Sequence, residues 1–453
     1  MTEQADATEA QIAQWRNWLR RRPAIRPPDV DELEGHLRDQ IAALVGAGLS
    51  GDEAFLVAVK RMGSLDAVSR EFAREHSGRL WKQLVVAPGS DAARGWLARR
   101  EFLVVLGLAV AAAVAVKVPE LFGRRLGEDA FYALNASLFV LPLLTGYFAW
   151  KRGIERSRYL WLALPFVAGA VAINTIPFTR GGHTEALAAG HLPIALWLAV
   201  GVAYAGGRWW RGSGRMDFVR FSGELFIYYV LMALGGGVLT MFTVGAFGVI
   251  GLDAEDLAGR WILPCGAMGA VLVGAWLVEA KQSVIENMAP VLTRLFTPLF
   301  TAVLLALLAS MAWTRNGIDL EREVLIGFDL LLAVVLGLLL YAISARDPRT
   351  PPELFDRVLF VLVASALVAD GVALAAIAAR ISEFGFSPNR TAALGENLIL
   401  LVNLAWSAWL YARFLAGRGP YAALERWQTA YLPVYAVWAG LVVVGFPPLF
   451  GFE

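Results

Sequence analysis

The sequence predicts an all-α fold: a polytopic transmembrane helical bundle of about eleven spans, carrying a soluble helical domain at its N-terminus. Three observations predict it. Hydrophobic residues make up 57% of the chain and charged residues 17%, with a mean hydropathy of +0.55, which is apolar for a soluble protein of this length. After residue 100 the apolar residues gather into repeated runs of about 20, the length that crosses hydrocarbon as a helix. Residues 1–95, by contrast, are polar and amphipathic, and no signal peptide opens them. A net charge of +1 gives no overall pull toward nucleic acid. The single Cys265 cannot form an intrachain disulfide, and four scattered histidines offer no metal-ligand spacing. No cofactor, metal or nucleic-acid partner is expected.

Residues 1–95 read as four short helices. Thr8–Arg21 places Ile12, Trp15, Trp18 and Leu19 on one face, and Pro23, Pro27 and Pro28 interrupt the chain after it. Asp29–Val45 carries Val30, Leu33, Leu37, Ile41 and Leu44 at helical spacing. Ser50 and Glu53 form a capping box that opens a helix bearing Phe55, Leu56 and Val59. Ser64 opens the last, with Leu65, Val68 and Phe72 inward. A core this small is marginal, so the domain is expected to dock on the membrane body or on a protein partner. Its 13 basic and 14 acidic residues argue against DNA binding.

The stretch DVDELEGHLRDQIAALVGAGLSGDEAFLVAVKRMGSLDAVSREFAR, with its ELEGHLRDQI helix, GLSGDEAF turn and KRMGSLDAVSREF ending, resembles the bacterial helical module called permease prefix domain 1, of the HAAS signalling type. The resemblance covers roughly residues 10–75. It implies a cytoplasmic regulatory domain tethered to membrane segments, without a catalytic site.

The membrane body divides into a first group of four spans within residues 96–210 and a second of about seven within 211–453. The runs are Phe102–Leu121, Phe131–Trp150, Tyr159–Phe178, Leu187–Tyr204, Phe221–Ile250, Trp261–Ala280, Leu295–Trp313, Glu323–Ile343, Arg357–Ala379, Glu396–Trp409 and Tyr431–Phe446. With the N-terminus inside, sixteen Lys and Arg fall in the inner loops and nine in the outer ones, which puts the N-terminus in the cytoplasm and the C-terminus outside an inner membrane. The fifth run is about 45 Å long as straight helix, against about 30 Å of hydrocarbon. Gly235, Gly236 and Gly237 therefore mark it as a hinge candidate, the alternative being close helix packing through small residues. The segment SVIENMAPVLTRLF is amphipathic and is expected to lie along the inner interface. Segments ELFIYYVLMALGGGVLTMFTVGAFGVIGLD, IENMAPVLTRLFTPLF, GIDLEREVLIGFDLLLAVVLGLLLY and ISEFGFSPNRTAALGENLILLVNLAWSAWLY are similar to the bacterial membrane family called domain-of-unknown-function family 4153. That similarity covers about residues 215–415 and implies no activity.

Polar groups inside apolar runs carry what chemistry the sequence offers, because an ionisable residue in hydrocarbon costs about 2.5–3.5 kcal/mol on insertion scales. Asp329 and Asp370 are the two carboxylates so placed. Arg380, Arg390, Glu396, Asn397 and Asn403 border the same outer half, and Asn135 and Asn174 share that depth. Together they are candidates for a ligand or ion site, with the aspartates as proton or cation groups and the arginines as counter-charges. The competing expectation is interhelical glue, with Asn389 and Arg390 marking a helix start. At the inner face Glu224, Glu279, Lys281, Glu286 and Asn287 read as interfacial, solvated charges. His183 and His191, eight apart across a helix start, read as poor metal ligands. No catalytic residue is identified, because H-E-x-x-H, G-x-S-x-G and P-loop motifs are all missing. The expectation is a sensing or regulatory membrane protein acting through its cytoplasmic domain. The first alternative is a secondary transporter with an outward-facing polar cavity. The second is a permease subunit of an ATP-driven exporter, for which the large extracytoplasmic domain is missing.

Overall fold

The computed structural model describes residues 8–9, 11–13, 16, 27–46, 49–61, 92–126, 130–209, 213–249, 253–280, 289–314, 322–348 and 350–453. Among these there are helices and turns and no strand. The chain forms two compact units, Met1–Gly95 and Trp96–Glu453.

In the first unit, α1 (Pro27–Gly46) packs on α2 (Gly51–Arg61). Leu37, Ile41, Leu44, Ala54 and Ala58 are buried together with Ile12 from the preceding helical segment. Glu53 accepts hydrogen bonds from the Ser50 backbone N–H (3.1 Å) and hydroxyl (2.7 Å), which closes the start of α2 and holds its own carboxyl below the usual range. Arg38 bridges Glu9 and Glu34, and Arg16 reaches Glu34 from the other side. The fourth predicted helix, from Ser64, lies outside the described residues.

The second unit is a multi-pass membrane bundle. Its helices are α3 (Ala92–Lys117), α4 (Ala130–Lys151), α5 (Tyr159–Thr175), α6 (His183–Ala205), α7 (Ser213–Val249), α8 (Leu263–Ala280), α9 (Ala289–Thr314), α10 (Arg322–Ala345), α11 (Leu354–Phe384), α12 (Pro388–Leu415) and α13 (Ala422–Leu449). Ten of them are long and apolar enough to cross a membrane, and α5 falls just short at 17 residues. Most outrun the apolar stretches read from sequence. α12, for example, begins eight residues before Glu396, because hydropathy measures the hydrocarbon slab and not the helix that passes through it.

Two apolar cores organise these helices. The first joins α3, α4, α5, α6, α8 and the start of α7 around Tyr147, Phe148, Tyr204, Phe218 and Phe221, whose rings pack on one another. The second joins α9, α10, α11 and α12 with Met216 and Val219 of α7 and with Tyr421 and Leu424 beside and in α13. Phe218, Phe221 and Leu225 of α7, with Leu272, Ala275 and Val278 of α8, fill the first core. The apolar faces of these two helices fit the aromatic cluster.

Helix α7 runs unbroken through its triple glycine. Gly235, Gly236 and Gly237 are exposed, and a Cβ on any of them would meet nothing within 4 Å. They act neither as a break nor as a packing seam. From Leu231 to Val249 only Thr240 is buried, so this half of α7 turns its apolar side chains outward. The predicted interfacial segment lies partly outside the described residues, and from Ala289 it continues directly into α9.

Candidate functional site

The bundle has two polar ends. At one, α6, α10 and α12 begin and α11 ends. Ser387 accepts a hydrogen bond from the Arg390 N–H (3.4 Å) and caps α12, with Pro388 in its first turn. Ser387 thus takes the capping role expected of Asn389, whose side-chain nitrogen instead lies 3.0 Å from Nδ1 of His183. Arg390 donates to the carbonyls of Phe384 (3.1 Å) and Gly385 (2.8 Å), satisfying the last turn of α11, and lies over the Phe384 ring. Its guanidinium is committed to that helix terminus.

Between these termini lies a cavity of about 550 Å³. His183 and Leu187 of α6, Leu325 and Asp329 of α10, Ile377 and Arg380 of α11, and Asn389, Arg390, Ala393 and Glu396 of α12 line it. Four of the residues singled out from sequence, Asp329, Arg380, Arg390 and Glu396, therefore share one wall system. Asn397 is fully buried beside them. Its side-chain N–H₂ donates to Asp329 Oδ1 and to the Ala393 carbonyl, both at 2.8 Å.

Asp370 lies behind the cavity. It precedes Ile377 by seven residues on α11, hence on the same face, about 10 Å further along the helix. The side chain is completely buried, and among the described residues neither carboxyl oxygen has a hydrogen-bond partner. Asp329 and Glu396 are on the cavity wall itself. Three carboxyl groups thus lead from the cavity wall to the interior.

Asn403 does not join this site. Two turns along α12, it exchanges 3.1 Å hydrogen bonds with Gln428 of α13, and Gln428 also donates to Ser407 at 2.7 Å. All three are fully buried, and they pin α12 to α13. Asn135 and Asn174 likewise bond each other, joining α4 to α5.

His183 and His191, expected only to be poor metal ligands, belong to this site: His183 lines the cavity and His191 meets Glu396. Their eight-residue separation suits one face of a helix, with Leu187 between them. His191 Nε2 lies 2.8 Å from Glu396 Oε1, and its Nδ1 lies 2.8 Å from the Leu187 carbonyl. The legible signal was the spacing, which was weighed only as metal geometry.

The opposite end is closed by ion pairs. Lys151 (3.3 Å) and Arg152 (3.0 Å) of α4 meet Glu279 of α8, whose side chain is 2% exposed. Lys151 also binds Glu101 of α3 at 2.6 Å, and Arg152 donates to the Tyr204 carbonyl at 3.0 Å. Glu279 is therefore a buried, paired carboxylate and not the solvated interfacial charge expected, because the ends of four helices converge over it. Lys281, Glu286 and Asn287 lie outside the described residues. In the second core Arg346 pairs with buried Asp356 at 2.8 Å and lies over the rings of Phe414 and Tyr421. Arg220 donates to the Ser344 carbonyl.

Comparison with family models, with curated proteins and with solved structures returns no match for this chain.

Proposed function

We propose that this chain is a bacterial inner-membrane protein that binds a small polar solute in the cavity and carries it across the bilayer as a secondary transporter. On this reading the histidine-lined end faces outward, the ion-paired end faces the cytoplasm, and residues 1–95 form a cytoplasmic regulatory domain. The Lys and Arg bias of the loops and the resemblance to permease prefix domain 1 support that orientation. One observation supports transport above all: Glu396, Asp329 and Asp370 lead inward from the cavity to a buried carboxyl with no hydrogen-bond partner among the described residues. Such a group is too costly to keep as packing, and it suits an ion or proton pathway. The cavity volume is in the range of small-molecule sites.

The experiment is uptake into proteoliposomes with a panel of small polar solutes, read by an internal pH dye. A solute-driven proton flux that Asp370→Asn abolishes supports the reading. Flux that survives Asp370→Asn, or no flux with any solute, refutes it.

A second reading, a sensor that binds its ligand at the cavity and signals through the cytoplasmic domain, is favoured by the unbroken course of α7 and by the ion-paired closed end. It calls for ligand binding without flux.

A further inference from the structure

We propose that His191 and Glu396 share a single exchangeable proton at the cavity, and that this proton is the ion coupled to solute binding. The second half of the statement rests on the transport reading; the first half stands on hydrogen-bond geometry alone.

His191 sits in the third turn of α6. Its Nδ1 is 2.8 Å from the carbonyl of Leu187, four residues back. A carbonyl oxygen can only accept, so Nδ1 carries a hydrogen. In a neutral imidazole that choice leaves Nε2 with a bare lone pair. Nε2 nevertheless lies 2.8 Å from Glu396 Oε1, hydrogen-bond distance. A lone pair facing a carboxylate oxygen would repel it, so the contact requires one proton between the two atoms. That proton gives either imidazolium with carboxylate or imidazole with carboxylic acid. In both descriptions the two atoms hold one proton between them. When the proton leaves for the cavity, a carboxylate and a bare Nε2 remain face to face, and the contact opens.

The surroundings give the proton somewhere to act. Glu396 lines the cavity, so its proton exchanges with whatever enters there. Asp329, held by Asn397, is the next carboxyl group inward, and Asp370 is the one after. The other charged or titratable groups on the cavity wall with Glu396 are His183 on α6, Asp329 on α10, Arg380 on α11 and Arg390 on α12, and the Glu453 carbonyl accepts from the Thr184 N–H at the start of α6. Glu185 accepts from the Gly181 N–H and Arg390 serves the end of α11, while His191 lies at hydrogen-bond distance from Glu396.

The test uses the full-length protein with ¹⁵N-labelled histidine in lipid nanodiscs. The imidazole nitrogens are followed by NMR from about pH 4 to pH 9, a range that brackets ordinary histidine titration. His191→Gln assigns the signals. The expected result is an Nδ1 that stays protonated throughout and an Nε2 signal whose pH dependence changes in Glu396→Gln, which removes the partner charge. An Nε2-protonated, Nδ1-bare tautomer, or a titration identical in Glu396→Gln, overturns the shared proton. Should His191→Gln fail to fold, Glu396→Asp provides the second readout: shortening the side chain is expected to weaken the pair and shift the titration part of the way. An unchanged titration counts against the proposal. Proteoliposome flux separates the two claims. Flux that ignores Glu396→Gln leaves transport standing and removes the coupling role. A confirmed shared proton without any flux leaves the proton site standing and removes transport.

Discussion

Asp370 and Glu279 show what a buried carboxylate costs with and without partners. Glu279 is met by two cations and Asp370 by no hydrogen-bond donor among the described residues. Replacing Asp370 by Asn is therefore expected to leave the thermal unfolding midpoint in detergent unchanged or to raise it, since an unpaired buried carboxyl is the dearer group. A fall of several degrees would mean the carboxyl is structurally bonded. Glu279→Ala works the other way. It leaves Arg152 without its acid and is expected to cost about 3 kcal/mol, read as a large drop in the same midpoint. A third prediction concerns Arg38. Its guanidinium holds the Glu9 carboxyl below the usual range by direct hydrogen bonding, so the pair's stabilisation is present above that range and is lost as pH falls through it. Arg38→Ala should speed amide exchange in α1 at pH 7 by an amount matching less than about 1 kcal/mol per exposed pair, and the difference should vanish in acid. Equal exchange at both pH values would contradict the pairing.

Two glycine positions separate a stretch of helix that packs from one that does not. Gly236 on α7 has open space where a side chain would go. Gly395 on α12 is pressed by the ring of Trp438, leaving no room for a Cβ. Gly236→Leu is expected to fold with wild-type stability. Gly395→Ala must push Trp438 aside next to Glu396, and should lower both stability and whatever binding the cavity supports. If both variants behave alike, the packing contrast is wrong. The same pair shows what was legible beforehand. Apolar length alone located the ten helices that, among the described residues, are long and apolar enough to cross a membrane, because hydrocarbon thickness constrains it, and it read an eleventh at the shorter α5. Asp329 stood out in sequence as a carboxyl group inside an apolar run, and Arg380, Arg390 and Glu396 as polar groups bordering the same outer half. The role of the triple glycine was not legible, since glycine favours hinges, seams and bare surface alike. Nor was the assignment of Asn403 to Gln428: an amide at a given depth carries no information about which helix it faces.

Across the whole second unit, polar groups are divided between an open end and a tied end. The open end holds a cavity with histidines and carboxyl groups on its wall. The tied end gathers α3, α4, α6 and α8 over Glu279, while Arg346 locks α10 to α11. A cysteine at 329 in a Cys265→Ala background is accordingly expected to react with a membrane-impermeant thiol reagent from one side only. Reaction from both sides, or from neither, would contradict a one-ended cavity. Helix α7 has a separate consequence. Its apolar length from Phe221 to Val249 is about 43 Å, roughly 13 Å beyond an average hydrocarbon core, and its far half leans on almost nothing within the protein. Mismatch of this kind costs a fraction of a kcal/mol per Å and is relieved by thicker lipid. The chain thus carries an elastic gauge of its surroundings, and its lateral distribution in a mixed bilayer should follow acyl-chain length.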